Sequence, residues 1–253
     1  MIIKNYIFLS LFILFSGKIF ADEKPSLTFY VGSTMAQAMS EIANIVEKRE
    51  NCDIKIIQGA SKSLYNLIKN SQKGDIFLPG SHSFIVDNLK DGLLLDSQYV
   101  GYNQAVICVK KLNPKNIRSL DDFLDENIAT MLCDPNRGSI GRATKKIFSN
   151  YKGDSFLQRA YDNSVRIALD SKDLYQVFNE GKIDANINWR ATFAWSKDKN
   201  IEMIKIDEKY APKSELFITL LKFSKYPQIA KNLIYFTASQ EGQSIMKKHG
   251  FRD

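Results

Sequence analysis

The residues with chemistry to offer in this chain are hydroxyls and open backbone amides rather than acids, bases or metal ligands. Leu27, Phe29 and Val31 alternate as one face of a strand, Gly32 breaks it, and Ser33 precedes Met35, Met39, Ile42 and Val46 at helical spacing. A strand that ends in Gly-Ser and turns into a helix presents a hydroxyl and the unpaired N–H groups of the first turn, which is the chemistry of an anion site. A single such junction is explained by Ser33 acting as the N-cap of its own helix. The pattern recurs, however. Asp53 to Ile57 leads into Gln58-Gly59-Ala60-Ser61-Lys62-Ser63 ahead of Leu64, Leu67 and Ile68, and Asp75 to Leu78 leads into Pro79-Gly80-Ser81-His82 ahead of Phe84, Ile85 and Leu89. Ala129 to Cys133 leads into Asp134-Pro135-Asn136-Arg137-Gly138-Ser139-Ile140-Gly141, ahead of Ala143, Ile147 and Phe148.

The same inventory argues against catalysis. His82 and His249 are the only histidines, and neither a G-x-S-x-G elbow nor an H-E-x-x-H pair occurs, so a secreted hydrolase lacks the material for a nucleophile and its base. Cys52, Cys108 and Cys133 have no metal-ligand spacing and read as buried thiols; a Cys108–Cys133 disulfide is open to an oxidising compartment and would leave Cys52 over. A purely structural or adhesive protein would not need hydroxyl-bearing helix starts gathered at one sheet edge.

Successive strand–helix units predict an α/β fold, with mostly parallel sheets flanked by helices and ligand chemistry at the strand C-termini. Further strands are expected at Ala105–Val109, Asn163–Leu169, Asp184–Trp189, Ile201–Ile206 and Leu216–Leu221, and a C-terminal helix over Ile229–Met246 ending near Gly250. Ser119-Leu120-Asp121-Asp122 reads as a capped helix start, and Tyr210-Ala211-Pro212 as a hinge. Residues 1–21 carry Lys4, an apolar stretch from Tyr6 to Phe15 and Ala21 before Asp22, the signature of a cleaved signal peptide; the mature chain is expected to be soluble and to act in the periplasm. With 44% hydrophobic and 25% charged residues the composition is that of a globular protein. Of the net charge of +7, Lys4 and Lys18 contribute two, leaving +5 spread along the mature chain. No basic run is interleaved with aromatics, which excludes nucleic acid as the partner, while a mild positive field favours anions.

In their order along the chain, FYVGSTM, QGASKSL, GDIFLPGS, LCDPNRGSIGRA, NSVRIAL and SQEGQSIMKKHGF resemble the periplasmic solute-binding proteins of molybdate-type ABC transporters. The resemblance implies a two-lobed periplasmic-binding-protein type II fold. Lobe 1 would hold residues 22–104 and 215–253 and lobe 2 residues 105–214, with two crossover hinges between them. It implies a small oxyanion ligand, molybdate- or tungstate-like, with sulfate, phosphate or a small organic acid as alternatives. The anion would be dehydrated between the lobes by the hydroxyls of Ser33 and Ser61, with Ser63 in place of Ser61 if the turn is offset. Backbone donors would come from Ser139 or Ile140 and from Val165. Where that family commonly has a tyrosine this chain has Asn188, and Arg190 offers a bidentate clamp instead. His82 replaces an acidic residue often found after the third strand. Iron binding, which related receptors achieve with tyrosine clusters, finds only scattered tyrosines here. The implied partner is an ABC permease in the inner membrane, with no enzymatic activity, no cofactor, no free metal cation and a monomer as the working unit. Arg137 and Arg142 read as solvated, His249 as a surface residue suited to a helix end, and Trp189 and Trp195 as packing aromatics.

Overall fold

The structure, a computed structural model, describes residues 23–136, 138–195 and 200–252. The expectations for residues 1–21 and Arg137, and for the side chain of Trp195, fall outside what is described. The strands are β1 (Ser26–Gly32), β2 (Asp53–Gly59), β3 (Ile76–Leu78), β4 (Leu94–Asn103), β5 (Ala105–Lys110), β6 (Thr130–Cys133), β7 (Ser164–Ala168), β8 (Ala185–Trp189), β9 (Ile201–Lys205) and β10 (Ser214–Leu221). The helices are α1 (Ala36–Glu50), α2 (Ser61–Ser71), α3 (His82–Asn88), α4 (Gly138–Asp162), α5 (Ser171–Asn179), α6 (Ala191–Trp195), α7 (Pro227–Ala238) and α8 (Gln240–Lys248).

The strands form two five-stranded sheets, in the orders β2-β1-β3-β10-β4 and β7-β6-β8-β5-β9, and this gives a two-lobed α/β molecule. Both sheets are mixed. In the first, β1 runs parallel to β2 and β3, whereas β10 is antiparallel to β3 and β4. In the second, β6 is parallel to β7 and β8, and β5 is antiparallel to β8 and β9. The parallel part of each sheet comes from the strand–helix units legible in the sequence. The antiparallel part comes from β5 and β10, the first strands the chain makes after passing from one sheet to the other. It passes twice, at Gln104 between β4 and β5 and over 206–213 between β9 and β10.

Helices cover both faces of the first sheet. Phe29, Met35, Ile42, Ile218, Leu233 and Phe251 are buried between it and α1, α7 and α8, while Tyr65, Ile68, Phe77 and Leu221 form a second layer with α2 and α3. In the other lobe Phe123, Leu132, Phe148, Ile187 and Trp189 share one core. Each large side chain removed from water in this way contributes roughly 1.5–3 kcal/mol. Trp189 is thus a packing residue, as expected.

Several local features depart from the sequence reading. β4 was not expected, because its residues are half-exposed at one end and wholly buried at the other, without period-two alternation. It is held by the C-terminal turn: Tyr102 N–H donates to Phe251 O at 2.9 Å, and a Cβ on Gly101 would lie only 2.5 Å from that same oxygen. The C-terminal helix is two helices, broken at Ser239, whose hydroxyl caps α8 by accepting from Gly242 N–H. α4 is kinked at Lys152 and Gly153, where Gly153 has φ +83°. Ser119 makes a full capping box with Asp122, but the turn that follows is a short 3-10 helix. Neither Cys108 nor Cys133 is in a disulfide. β8 lies between their strands, which sets them about 10 Å apart, beyond the reach of a disulfide.

Candidate functional site

The C-terminal ends of β1, β2, β3 and β6 each deliver a turn to one place, and Gly80 marks it. The position a Cβ would take on Gly80 is 3.6 Å from Ser61 Oγ and 3.7 Å from Ser139 Oγ. Ser61 begins α2 in the first lobe and Ser139 lies in the first turn of α4 in the second, so a hydroxyl from each lobe stands over the same glycine. The corresponding position on Gly32 is 3.5 Å from Gly80 N, which brings the Gly32-Ser33 turn into the group. Gly80 has no positive φ; its glycine is needed for space rather than for conformation.

Ser61 is well placed to donate. Its Oγ accepts from Gly80 N–H at 2.9 Å, which leaves the hydroxyl proton to point elsewhere. In α2 the first backbone bond of the helical kind is Leu64 N–H to Ala60 O, so the N–H groups of residues 61–63 precede the helical ladder. Ser33 does not cap its helix as the sequence suggested. It opens a 3-10 turn, Ser33–Met35, ahead of α1, is exposed, and makes no capping hydrogen bond, so its hydroxyl is uncommitted among the described residues. Ser63 is exposed on the next residues of α2.

Ser139 is half-buried and Ile140 is buried in the second-lobe core, which leaves Ile140 only its backbone to offer. Two contacts fix the turn before them. A Cβ on Gly141 would come within 1.8 Å of Asp134 O, so the loop folds directly onto the helix start. Tyr161, beyond the kink in α4, donates its O–H to Cys133 O at 2.8 Å.

The remaining sequence candidates are placed differently. Val165 is 57% exposed near the start of β7. Because β7 runs parallel to β6 with Ala168 beside Cys133, Val165 lies about 10 Å before the edge that carries Ser139. The structure does not bring it to the group. Asn188 does stand at the right end of β8, but its amide is engaged: Nδ2 donates to Ser171 O at 3.0 Å and Oδ1 accepts from Trp189 N–H at 2.8 Å. Asn188 therefore braces the start of α5, where Asp170 caps the helix by accepting from the N–H groups of Lys172 and Asp173. Arg190 donates from Nε to Gly250 O at 3.1 Å, its guanidinium lies 4.8 Å from the centre of the Tyr102 ring, and its N–H donates to Gln104 O. It ties the end of β8 to β4 and the C-terminal turn rather than reaching the hydroxyls as a clamp. His82 stacks on Phe217 at 4.0 Å, with Nδ1 3.8 Å from Glu215, and is engaged in first-lobe packing. His249 is not a simple surface residue: Nε2 is 2.8 Å from Glu41 Oε2.

Gly80, the centre of the group, was not singled out by the sequence; the only signal was its place in Pro79-Gly80-Ser81, which reads equally well as a turn. The crossover residues Asn103 and Gln104, both buried and polar, also carried no signal. The chemistry assembled is that of hydroxyl and amide donors. Burial pushes the Cys108 and Cys133 thiols up to about 12, so neither presents a thiolate. Among the described residues no cluster of histidine, cysteine or carboxylate side chains could hold a metal ion.

Two mixed sheets joined by two crossovers, with donor-bearing helix starts from both lobes meeting over one glycine, define a two-lobed solute receptor. The chain belongs to the bacterial extracellular solute-binding protein family, whose model matches residues 27–252. A binding protein of Haemophilus influenzae is 23% identical over 92% of this chain and 93% of its own length. The fold is similar to that of the substrate-binding domain assigned to a molybdenum ABC transporter from Clostridium difficile, at 18% identity, 91% and 99% coverage of the two chains and a TM-score of 0.73. It is also similar to the sulfate-binding protein SubI of Mycobacterium tuberculosis, at 17% identity, 90% and 86% coverage and a TM-score of 0.76. A third similar structure is that of PEB3 with bound L-phospholactate, a protein of Campylobacter jejuni, at 18% identity, 90% and 99% coverage and a TM-score of 0.70.

Proposed function

We propose that this protein is the periplasmic receptor of an ABC importer, and that it captures a small oxyanion between its lobes and passes it to a membrane permease without chemical change. The observation that carries this reading is the approach of Ser61 and Ser139, from different lobes, to the one space above Gly80. Hydroxyls and helix-start amides match the lone pairs of an oxyanion and disperse its charge over several dipoles. The sequence motifs put molybdate and tungstate first; the sulfate and phospholactate ligands named for structurally similar proteins keep sulfate, phosphate and organic acids as rivals. Ser33, Ser61 and Ser139 are the proposed donors, with backbone N–H groups at residues 61–63 and 139–140. Lobe limits of 22–104 with 215–253, and 105–214, go with this reading, as do cleavage after Ala21 and action as a monomer.

Thermal shift of the mature chain with molybdate, tungstate, sulfate, phosphate and small organic acids tests it. One of these anions is expected to raise Tm, and Ser61→Ala and Ser139→Ala are each expected to weaken that anion about tenfold, the worth of one charge-assisted hydrogen bond. Unchanged affinity in both variants would remove the site, and turnover of an ester would favour an enzyme.

A further inference from the structure

One buried polar group at the floor of the inter-lobe cleft has no counterpart in the donor set above. Asn103 ends β4, immediately before the chain passes to the other sheet at Gln104, and is 1% exposed. Its Oδ1 has no hydrogen-bond partner among the described residues. Native structures seldom leave a buried amide oxygen without a donor, and one that does so beside a ligand cleft asks for the donor to come from the ligand.

The orientation of this amide is set by Met35. Met35 Sδ, an acceptor, receives the Thr34 hydroxyl at 3.0 Å and faces Asn103 Nδ2 at 3.9 Å, so the N–H side of the amide is turned to sulfur and Oδ1 is turned away from it. Met35 also fixes how near this is to the anion group. Its Cε lies 2.7 Å from the position a Cβ would take on Gly32, whose turn carries Ser33 and adjoins Gly80. A single thioether side chain therefore separates Asn103 from the hydroxyl cluster.

We infer that Asn103 is a specificity-determining residue of the cleft, and that the ligand is an oxyanion that also bears an O–H, which it donates to Asn103 Oδ1. The inference rests on the oxyanion reading. Hydroxyls and N–H groups accept any oxyanion alike, because each supplies a proton to a lone pair. A fixed carbonyl oxygen repels a bare anionic oxygen and accepts an oxygen that carries hydrogen, and so discriminates by repulsion as much as by attraction. At neutral pH sulfate and molybdate carry no hydrogen, whereas hydrogen phosphate and hydroxy acids do. The native ligand should accordingly come from the second group.

Calorimetric titration of the mature chain with two matched pairs tests this: inorganic phosphate against sulfate, and glycolate against acetate. The member with the O–H is expected to bind about tenfold or more tightly within whichever pair binds, since a site built around a ligand hydroxyl rejects the analogue that lacks it. Which pair binds separates a phosphate source from a hydroxy-acid source. In Asn103→Leu the preference within the pair should largely disappear, with affinity for the O–H-free member unchanged or improved. Asn103→Asp, which keeps the shape and strengthens the acceptor, should depress sulfate or acetate further than its partner, and serves if the leucine variant does not fold. Tighter wild-type binding of sulfate, acetate or molybdate would overturn the inference and leave oxyanion capture standing, as would an equal loss for both members in either variant. No binding of any of these anions, or of tungstate, would overturn both.

Discussion

Replacing Gly80 by alanine separates the binding role of this residue from its structural one. The added Cβ would lie 3.6 Å from Ser61 Oγ, 3.7 Å from Ser139 Oγ and 3.8 Å from Ser139 Cβ, ordinary van der Waals contacts that displace nothing. Gly80 is not in the left-handed region, so alanine fits the backbone, and the loss of freedom in the unfolded chain should stabilise the protein by about 0.4–1 kcal/mol. The methyl group nevertheless fills the space onto which both hydroxyls converge. An anion excluded from that space loses at least one charge-assisted hydrogen bond of about 1.5–3 kcal/mol, or roughly 10- to 150-fold in Kd. Gly80→Val would carry branches into both hydroxyls and should abolish binding. Urea melts and calorimetric titration on one preparation give both numbers. Gly80→Ala with stability retained and the Kd of wild type would show that the ligand does not sit over Gly80, and the argument from converging hydroxyls would fall with it.

Other consequences follow from groups outside the cleft. Asp75 is buried and accepts from Thr28 N–H at 2.8 Å, Ser224 O–H at 2.7 Å and Lys225 N–H at 3.2 Å; Asp75→Ala leaves three donors unpaired and should cost about 3 kcal/mol in a urea melt. Hydrogen bonds from Lys248 and His249 hold the Glu41 carboxyl below its ordinary value of 4.5. A lowered carboxyl contributes stability above its unfolded value and loses it as pH falls through the lowered one, so wild-type stability should drop below pH 4.5 more steeply than that of Glu41→Gln. Equal slopes in denaturation curves from pH 5 to 3 would refute this. Cys52, Cys108 and Cys133 are buried and outside any disulfide; mass spectrometry should find all three alkylated in denaturant without reductant and protected in the native protein.

The elements legible in the sequence were those whose evidence is local. Leu27, Phe29 and Val31, the Gly59 and Gly80 turns and the Gly138–Gly141 run each carry strand period, breaker and helix period within a dozen residues, and all of them fold as read. β4 escaped because its burial is imposed by the C-terminal turn, more than a hundred residues away in the chain. The break at Ser239 was hidden by apolar periodicity that continues on both sides of it. Among the site residues, Ser33, Ser61 and Ser139 were recognisable by type and place, and the structure gathers them. Val165, Asn188 and Arg190 depended on the register of β7 and β8 and on what packs against their ends. That information resides in the tertiary contacts to Cys133, Ser171 and Gly250. Gly80 and Asn103 matter through what approaches them, which no window of sequence contains.

The passage at Gln104 is a single residue between two strands of different sheets, and Arg190 N–H closes a hydrogen bond on its carbonyl. So short a spine forbids sliding: the halves of the molecule can turn about it like the covers of a book, through a few torsions at Asn103, Gln104 and Ala105, but they cannot shear. Optical labels on the outer edges, at β2 and β7, would therefore sweep the longest arc for the smallest rotation, and make this receptor a simple gauge of its own occupancy.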